Sequence, residues 1–186
     1  KKGFLTEEIT FIAELKNGKT KEKAFRILIS KYKERLYWHI RKIVISHDDA
    51  DDVLQNTFIK IFKNIDKFNE QSKLYSWMYR IATNESITFI NKRAKERNVD
   101  ISDYHEQLAS TLESDVHFSG DEIQLILQKA IATLPQKQQL VFNMKYFDEI
   151  KYNEMSEILE TSVGALKASY FHAVKKIENY IKTETN

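Results

Sequence analysis

The run Leu134-Pro135-Gln136-Lys137-Gln138-Gln139-Leu140-Val141-Phe142-Asn143-Met144-Lys145-Tyr146-Phe147, continued by Tyr152 to Leu159 and Val163 to Ile177, decides the fold class. Pro135, the only proline, stands where a first helical position needs no amide hydrogen. Leu140, Val141, Met144 and Phe147 recur at the three- and four-residue steps of a helix with one buried face. A second, short helix is expected over Tyr152 to Leu159, with Met155, Ile158 and Leu159 inward. Glu160-Thr161-Ser162 leaves room only for a tight turn, and Ser162 or Thr161 can cap the third helix with its hydroxyl. Leu166, Tyr170, Ala173, Ile177 and Ile181 form the core stripe of that helix. The outline is a helix-turn-helix, a shape that suits the major groove of DNA.

The opposite side of the third helix carries Lys167, Phe171, His172, Lys175 and Lys182. Such a face offers lysines to phosphates and its N-terminal half to base edges, but periodicity alone equally describes a solvated face.

With four glycines, one proline and 42% hydrophobic residues in 186, the chain has few breaks and ample core material, so an all-α fold is expected. It has no cysteine, which excludes disulfides and thiolate metal sites and suits a reducing cytoplasm. No apolar run approaches the roughly 18 residues of a membrane span, and the lysine-rich start lacks the apolar region of a signal peptide. A cytoplasmic protein without a membrane span is expected.

The net charge of +2 hides a segregation along the chain. Lys73 to Lys95 holds five basic residues against Glu85 alone, whereas Val99 to Glu122 holds seven acids and no lysine or arginine. The expected organisation is an N-terminal helical bundle over 1–95, a flexible acidic linker over 96–120, and a C-terminal helix-turn-helix bundle over 121–186. His105, Leu108 and Phe118 are scattered through the linker, which reads as an exposed tether. Helices are expected near Glu7 to Asn17, Lys21 to Ile45, Asp48 to Asn64 and Leu74 to Arg93.

In the first bundle, Ser46-His47-Asp48-Asp49-Ala50-Asp51-Asp52 reads as a cap followed by acids at a positive helix end. Adjacent carboxylates on one helical turn diverge, so no metal site is expected. Val53, Leu54, Phe58, Ile61 and Phe62 form the buried face, while Asp52, Gln55 and Asn56 make a polar edge beside Ile59 and Lys60. Capping and solvation account for that edge, and it is also open to a partner helix.

Farther along, Phe68 to Leu74 reads as a loop ahead of Tyr75-Ser76-Trp77-Met78-Tyr79-Arg80-Ile81-Ala82-Thr83-Asn84. Trp77, Arg80, Asn84, Thr88 and Asn91 share one side of this helix, and Lys92 and Arg93 follow. Rings that stack, amides that read base edges and cations that hold a backbone suit unpaired nucleic acid. Aromatics at helical spacing also serve as core, and Trp77 is expected to be at least half buried.

Asp52-Val53-Leu54-Gln55 with Phe58-Ile59-Lys60, the Trp77 to Asn84 stretch, Leu134-Pro135 and Val163-Gly164-Ala165-Leu166-Lys167 together closely resemble the extracytoplasmic-function sigma factors of the sigma-70 family. The motifs stand in the right order over nearly the whole chain. The resemblance implies a transcription initiation factor, not an enzyme and without a cofactor, whose partners are core RNA polymerase, promoter DNA and an anti-sigma factor.

It also implies residue roles. Asp52, Gln55 and Asn56 fall on the contact with the polymerase clamp helices, although the family often has an acid at the place of Asn56. The loop and helix from Phe68 onward match the part that captures a base flipped from the minus-10 element, with Asn84 lining the pocket and Tyr75, Trp77 and Arg80 supporting the strand. Thr88 and Lys92 extend that edge. The glycine that family loops often carry near Glu70 is absent.

The minus-35 readers fall on Lys167, Ala168, Phe171 and His172, with Lys175 alongside. Lysine lacks the flat fork of arginine and alanine offers only a methyl, so a different or less stringent minus-35 sequence is expected. The acidic linker is either a tether or a nucleic-acid mimic. The competing classes are a stand-alone helix-turn-helix regulator and a helical sigma antagonist or interaction module.

Overall fold

The computed structural model describes the backbone of residues 2–114 and 122–184, and side chains over 7–112 and 122–184. Its elements, in chain order, are α1 (Lys2–Lys16), α2 (Lys21–Val44), α3 (His47–Asn64), α4 (Leu74–Glu96), α5 (Ile101–Ser110), α6 (Glu122–Ala132), α7 (Gln136–Tyr146), α8 (Tyr152–Leu159) and α9 (Val163–Glu184). Short 3-10 turns follow α3 and α5, and no strand occurs among the described residues.

The first block closes around α2, α3 and α4. Leu28, Leu36 and Ile40 from α2, Val53, Leu54 and Ile61 from α3, and Met78, Ala82 and Ile90 from α4 recur at helical spacing and are buried together. Phe62 is only half buried, because it turns toward Phe25, 4.9 Å away between ring centroids. Ser46 caps α3 by accepting the Asp49 amide at 3.4 Å. The buried hydroxyls of Thr57, Thr83 and Ser86 donate back to carbonyls one turn earlier, which removes the cost of leaving them unpaired.

In the second block α8 has the expected bounds, with Met155 and Ile158 buried and Leu159 half buried. Pro135 stands one place earlier than expected, as the N-cap residue of α7, where its carbonyl accepts the amides of Gln138 and Gln139. The buried Gln139 side chain donates to the carbonyls of Ala132 and Leu134 at 3.1 and 2.8 Å, tying the α6–α7 turn to the helix it starts.

α7 departs from the single buried face that its spacing predicts. Phe142 packs into a cluster with Ala130, Ile131, Leu134, Ala173 and Ile177. Leu140, Val141 and Met144 instead join Ile150, Met155, Ile158 and Leu166 in the core of the first block. A helix lying between two cores has no continuous polar face, and through Leu140, Val141 and Met144 the second block contributes to the core of the first.

The flexible tether expected over 96–120 is corrected for its first part. Residues 101–110 form α5, and Tyr104, His105, Leu108, Ala109 and Leu112 are buried. Their spacing is an apolar helical stripe in which a neutral His105 counts as apolar, while Asp103 and Glu106 face outward. Burial lowers the His105 pKa, a hydrogen bond with Gln139 only partly offsets this, and Nε2 lacks a hydrogen-bond partner among the described residues. Phe118 and residues 115–121 lie outside the described residues.

Candidate nucleic-acid interfaces

The residues singled out in the sequence gather into three patches. The first is the edge of α4 and the loop before it. Phe68 is buried at the root of this loop and its ring lies 5.3 Å from that of Trp77, so Trp77 is half buried as expected. Glu70 adopts φ 60°, the left-handed conformation that glycine adopts without strain. Lys16 on α1 holds the loop by donating to the Phe68 carbonyl at 2.6 Å and pairing with the Glu70 carboxylate at 3.4 Å.

Tyr75 is propped by a residue that the sequence reading did not single out. Arg35 on α2 lies 4.4 Å from the Tyr75 ring centroid and donates to its hydroxyl at 2.9 Å, while the Tyr79 ring lies 4.2 Å from that of Tyr75, tilted by 42°. Burial raises the pKa of both phenols, so they stay neutral. Arg80 is half buried, whereas Asn84, Thr88, Asn91 and Lys92 are exposed. Glu85, the acid amid the apolar side of α4, pairs with Lys60 of α3. The α4 edge is therefore ring-lined and partly covered at its start, polar and open toward its end.

The covering group is α8. Arg80 donates through Nη2 and Nε to the Glu157 carbonyl at 2.7 and 3.2 Å, and Nη1 lies 3.2 Å from Glu160. Lys73 pairs with Glu154 at 2.5 Å, which raises the Lys73 pKa through the hydrogen bond and the attraction of the carboxylate. On the α2 side, Asp148 receives Lys42 at 2.6 Å and lies 3.3 Å from His39 Nδ1, while His39 Nε2 reaches Thr83 at 2.8 Å. Burial opposes the charge on Asp148, but the hydrogen bond and charge of His39 together with Lys42 outweigh it and lower its pKa. Long-range pairs of this kind leave no local pattern.

The second patch is the outer edge of α9. Ser162 caps the helix by accepting the Ala165 amide at 3.3 Å, and Leu166, Ala173 and Ile177 fix the inner side. Lys167, Ala168, Phe171, His172 and Lys175 are all exposed on one face, with Phe171 55% exposed and Lys175 Nζ 4.5 Å from its ring centroid.

The third patch is the edge of α3. Asp52, Gln55 and Asn56 are exposed, and Ile59 beside them is 44% exposed. A shallow apolar cleft of about 370 Å³ opens there, lined chiefly by Phe25, Ile29, Phe58, Ile59 and Phe62, with Gln55 and Lys63 completing its wall. The aspartates before it are spoken for separately, Asp49 by Arg93 at 3.5 Å and Asp51 by His47 at 3.7 Å. The described residues contain no cluster of three or more acidic, histidine or cysteine ligands able to hold a metal.

Two family models match this architecture in chain order, sigma-70 region 2 over residues 28–96 and sigma-70 region 4 over residues 124–177. The extracytoplasmic-function sigma factor SigW of Bacillus subtilis is 30% identical over 164 residues, covering 84% of this chain and 87% of its own length. The chain belongs to the extracytoplasmic-function sigma factors. The sigma-E factor of Haemophilus influenzae is 27% identical over 172 residues, covering 87% of this chain and 89% of its own. Among solved structures, CnrH in complex with the cytosolic domain of CnrY superposes with TM-score 0.69 at 19% identity, over 95% of this chain and 97% of that one. RpoE of Bartonella quintana, solved with the anti-sigma factor NepR, gives 0.67 at 20% identity, over 86% and 98%. As a sigma factor, this protein directs promoter-specific initiation by RNA polymerase, and sigma factors are initiation factors, not catalysts. No helix among the described residues is long and apolar enough to cross a membrane.

Proposed function

We propose that the three patches divide the work of initiation, with 1–95 acting as region 2, 96–120 as the connector and 121–186 as region 4. The α3 edge of Asp52, Gln55 and Asn56 docks on core polymerase, and the exposed Ile59 and apolar cleft beside it support a helical partner there. Tyr75, Trp77, Arg80, Asn84, Thr88 and Lys92 take the unpaired minus-10 strand. Lys167, Ala168, Phe171, His172 and Lys175 read the minus-35 duplex.

One observation carries this reading. A single edge of α4 combines rings at its start with exposed amide, hydroxyl and lysine side chains farther on, a set with no use in reading a closed duplex and every use in holding splayed bases. Bases trapped on that edge offset an unstacking cost of a few kcal/mol per flipped nucleotide, so melting needs no ATP. The polymerase holds both blocks on one promoter, and two weak contacts act together through effective concentration.

The protein works in the cytoplasm with the polymerase, has no enzymatic activity of its own and needs no cofactor. An anti-sigma factor is its regulator, in line with the partners present in the CnrH and RpoE structures. The outward acids Asp103 and Glu106 keep the connector available as a nucleic-acid mimic in the RNA path.

Transcription from a promoter library with core polymerase, with and without the chain, tests the reading. Promoter-selective initiation that is lost in Asn84→Ala is the expected result. Duplex binding by the chain alone, with no selective initiation on any compatible core, overturns it.

A further inference from the structure

We propose that the unpaired strand continues past Tyr75 into a second base pocket, formed by α1, α2 and the start of α4, and that this pocket selects guanine. The inference rests on the assignment of the α4 edge to the minus-10 strand.

A cleft of about 520 Å³ adjoins Tyr75, within the roughly 300–1,000 Å³ of small-ligand sites. Of the residues that line it, Phe11, Tyr32, Leu74 and Tyr75 are buried or half buried, whereas Glu7, Glu8, Lys31 and Lys73 are exposed. Rings and an aliphatic group therefore form its inner part, and charges surround its opening. None of the lining residues comes from the second block.

Tyr32 makes this a place for a base. Its ring centroid lies 6.3 Å from that of Tyr75 at a tilt of 36°, so the two rings extend one stacking surface from α4 onto α2. Both rings are already held. Arg35 donates to the Tyr75 hydroxyl at 2.9 Å, and Lys31 Nζ lies 5.4 Å from the Tyr32 ring centroid. A surface fixed beforehand loses little entropy when a base arrives.

The charges choose the base. Carboxylates only accept hydrogen bonds, and the Glu7 and Glu8 side chains make no hydrogen bond or salt bridge to any described residue. Guanine alone sets two donors side by side on its Watson–Crick edge, N1–H and the N2 amino group. Its O6 and N7 acceptors suit the ammonium of Lys31. Adenine and cytosine set an acceptor beside their amino group, and thymine flanks its one donor with carbonyls. Each of these three turns a lone pair toward a carboxylate.

The test uses holoenzyme and a promoter pool randomised over the non-template nucleotides that adjoin the minus-10 element, with heparin-resistant open complexes sequenced. Guanine is expected to be enriched about tenfold at one position, as for a paired base edge. Inosine at that position, which lacks the N2 amino group, should open about fivefold less often than guanine. The exposed double variant Glu7→Gln/Glu8→Gln should flatten the preference and leave the minus-10 preference unchanged. Tyr32→Leu should lower opening about fivefold or more on every sequence, as for a lost stacking ring.

No guanine preference at any position, or a preference that survives Glu7→Gln/Glu8→Gln, overturns the inference while loss of opening in Asn84→Ala leaves the strand assignment standing. Normal opening by Asn84→Ala removes the strand assignment and the inference with it.

Discussion

The edges of α4 and α9 carry similar groups, rings with cations, yet they are treated differently inside the chain. Lys167, Phe171, His172 and Lys175 of α9 all stand exposed. On α4, Arg80 is half buried and each of its nitrogens meets α8 or its turn, and Trp77 leans on Phe68, whereas Asn84, Thr88, Asn91 and Lys92 stand open. The difference follows from what each edge holds. A duplex reader with a few lysines binds stray DNA weakly and reversibly, so its exposure costs little. A stacking platform takes any unpaired base, because every base has a π-face, so it gains from a cover.

The sharpest way to break the comparison is to remove the strand edge. Trp77→Ala and Asn84→Ala are each expected to reduce open-complex formation by about 5- to 150-fold, the range set by roughly 1–3 kcal/mol per stacked or read base. Asn84 is exposed, so its substitution leaves the fold intact, and thermal melting separates its effect from that of Trp77, which also packs on Phe68. Permanganate reactivity of the melted strand is the readout. An Asn84→Ala protein that opens promoters normally removes this residue from the site.

The open edge should respond more gently and in a different variable. Lys167→Ala or Lys175→Ala is expected to weaken minus-35 duplex binding a few-fold and to reduce the slope of log affinity against log salt by about 1, as for a lost phosphate contact. A changed base preference with an unchanged slope would instead assign that lysine to a base edge.

The three patches were legible because each is local. Trp77, Arg80, Asn84 and Thr88 sit on one helix, and so do Lys167, Phe171 and His172, so spacing alone places them together. The bounds of α8 follow from the turn residues on either side of it. What joins the blocks was not legible, since Asp148 lies 109 residues from His39 and 106 from Lys42, and nothing near any of them announces a partner. α7 misled for a related reason: a helix that fills two cores has lost the polar face by which a buried stripe is recognised. α5 was hidden by its acids, which face outward while Tyr104, His105 and Leu108 form the stripe beneath.

His105 gives that hidden helix a signature by which it can be tested apart from both edges. Burial lowers its pKa, so the folded state binds fewer protons than the unfolded one. Its contribution to stability is complete above the unfolded value of about 6.5 and is lost as pH falls from there through the lowered folded value. The protection of α5 amides, their exchange measured against the intrinsic rate at each pH, should therefore fall as pH drops below about 6.5 in the wild type. In His105→Gln that step should be absent. Identical profiles would show that His105 does not govern the docking of α5.

The smallest expected effect compares the two blocks at matching backbone positions. Glu70, in the loop before α4, and Glu160, in the turn before α9, both adopt left-handed φ, 60° and 50°. A side chain there costs about 1–2 kcal/mol that glycine avoids. At each site glycine should therefore be more stable than alanine by about 1 kcal/mol, the reverse of their order within a helix. The alanine variant controls for the lost carboxylate, because it removes the ion pair with Lys16 or Arg80 and keeps the strain. The functional consequences should then part. Glu70→Gly relaxes the capture loop and leaves Arg80 engaged, whereas Glu160→Gly stabilises its turn and withdraws one of Arg80's three contacts. Only the second should raise single-strand affinity in the free protein. Equal effects of the two glycines on strand binding would mean that the carboxylate of Glu160 contributes nothing to covering the α4 edge.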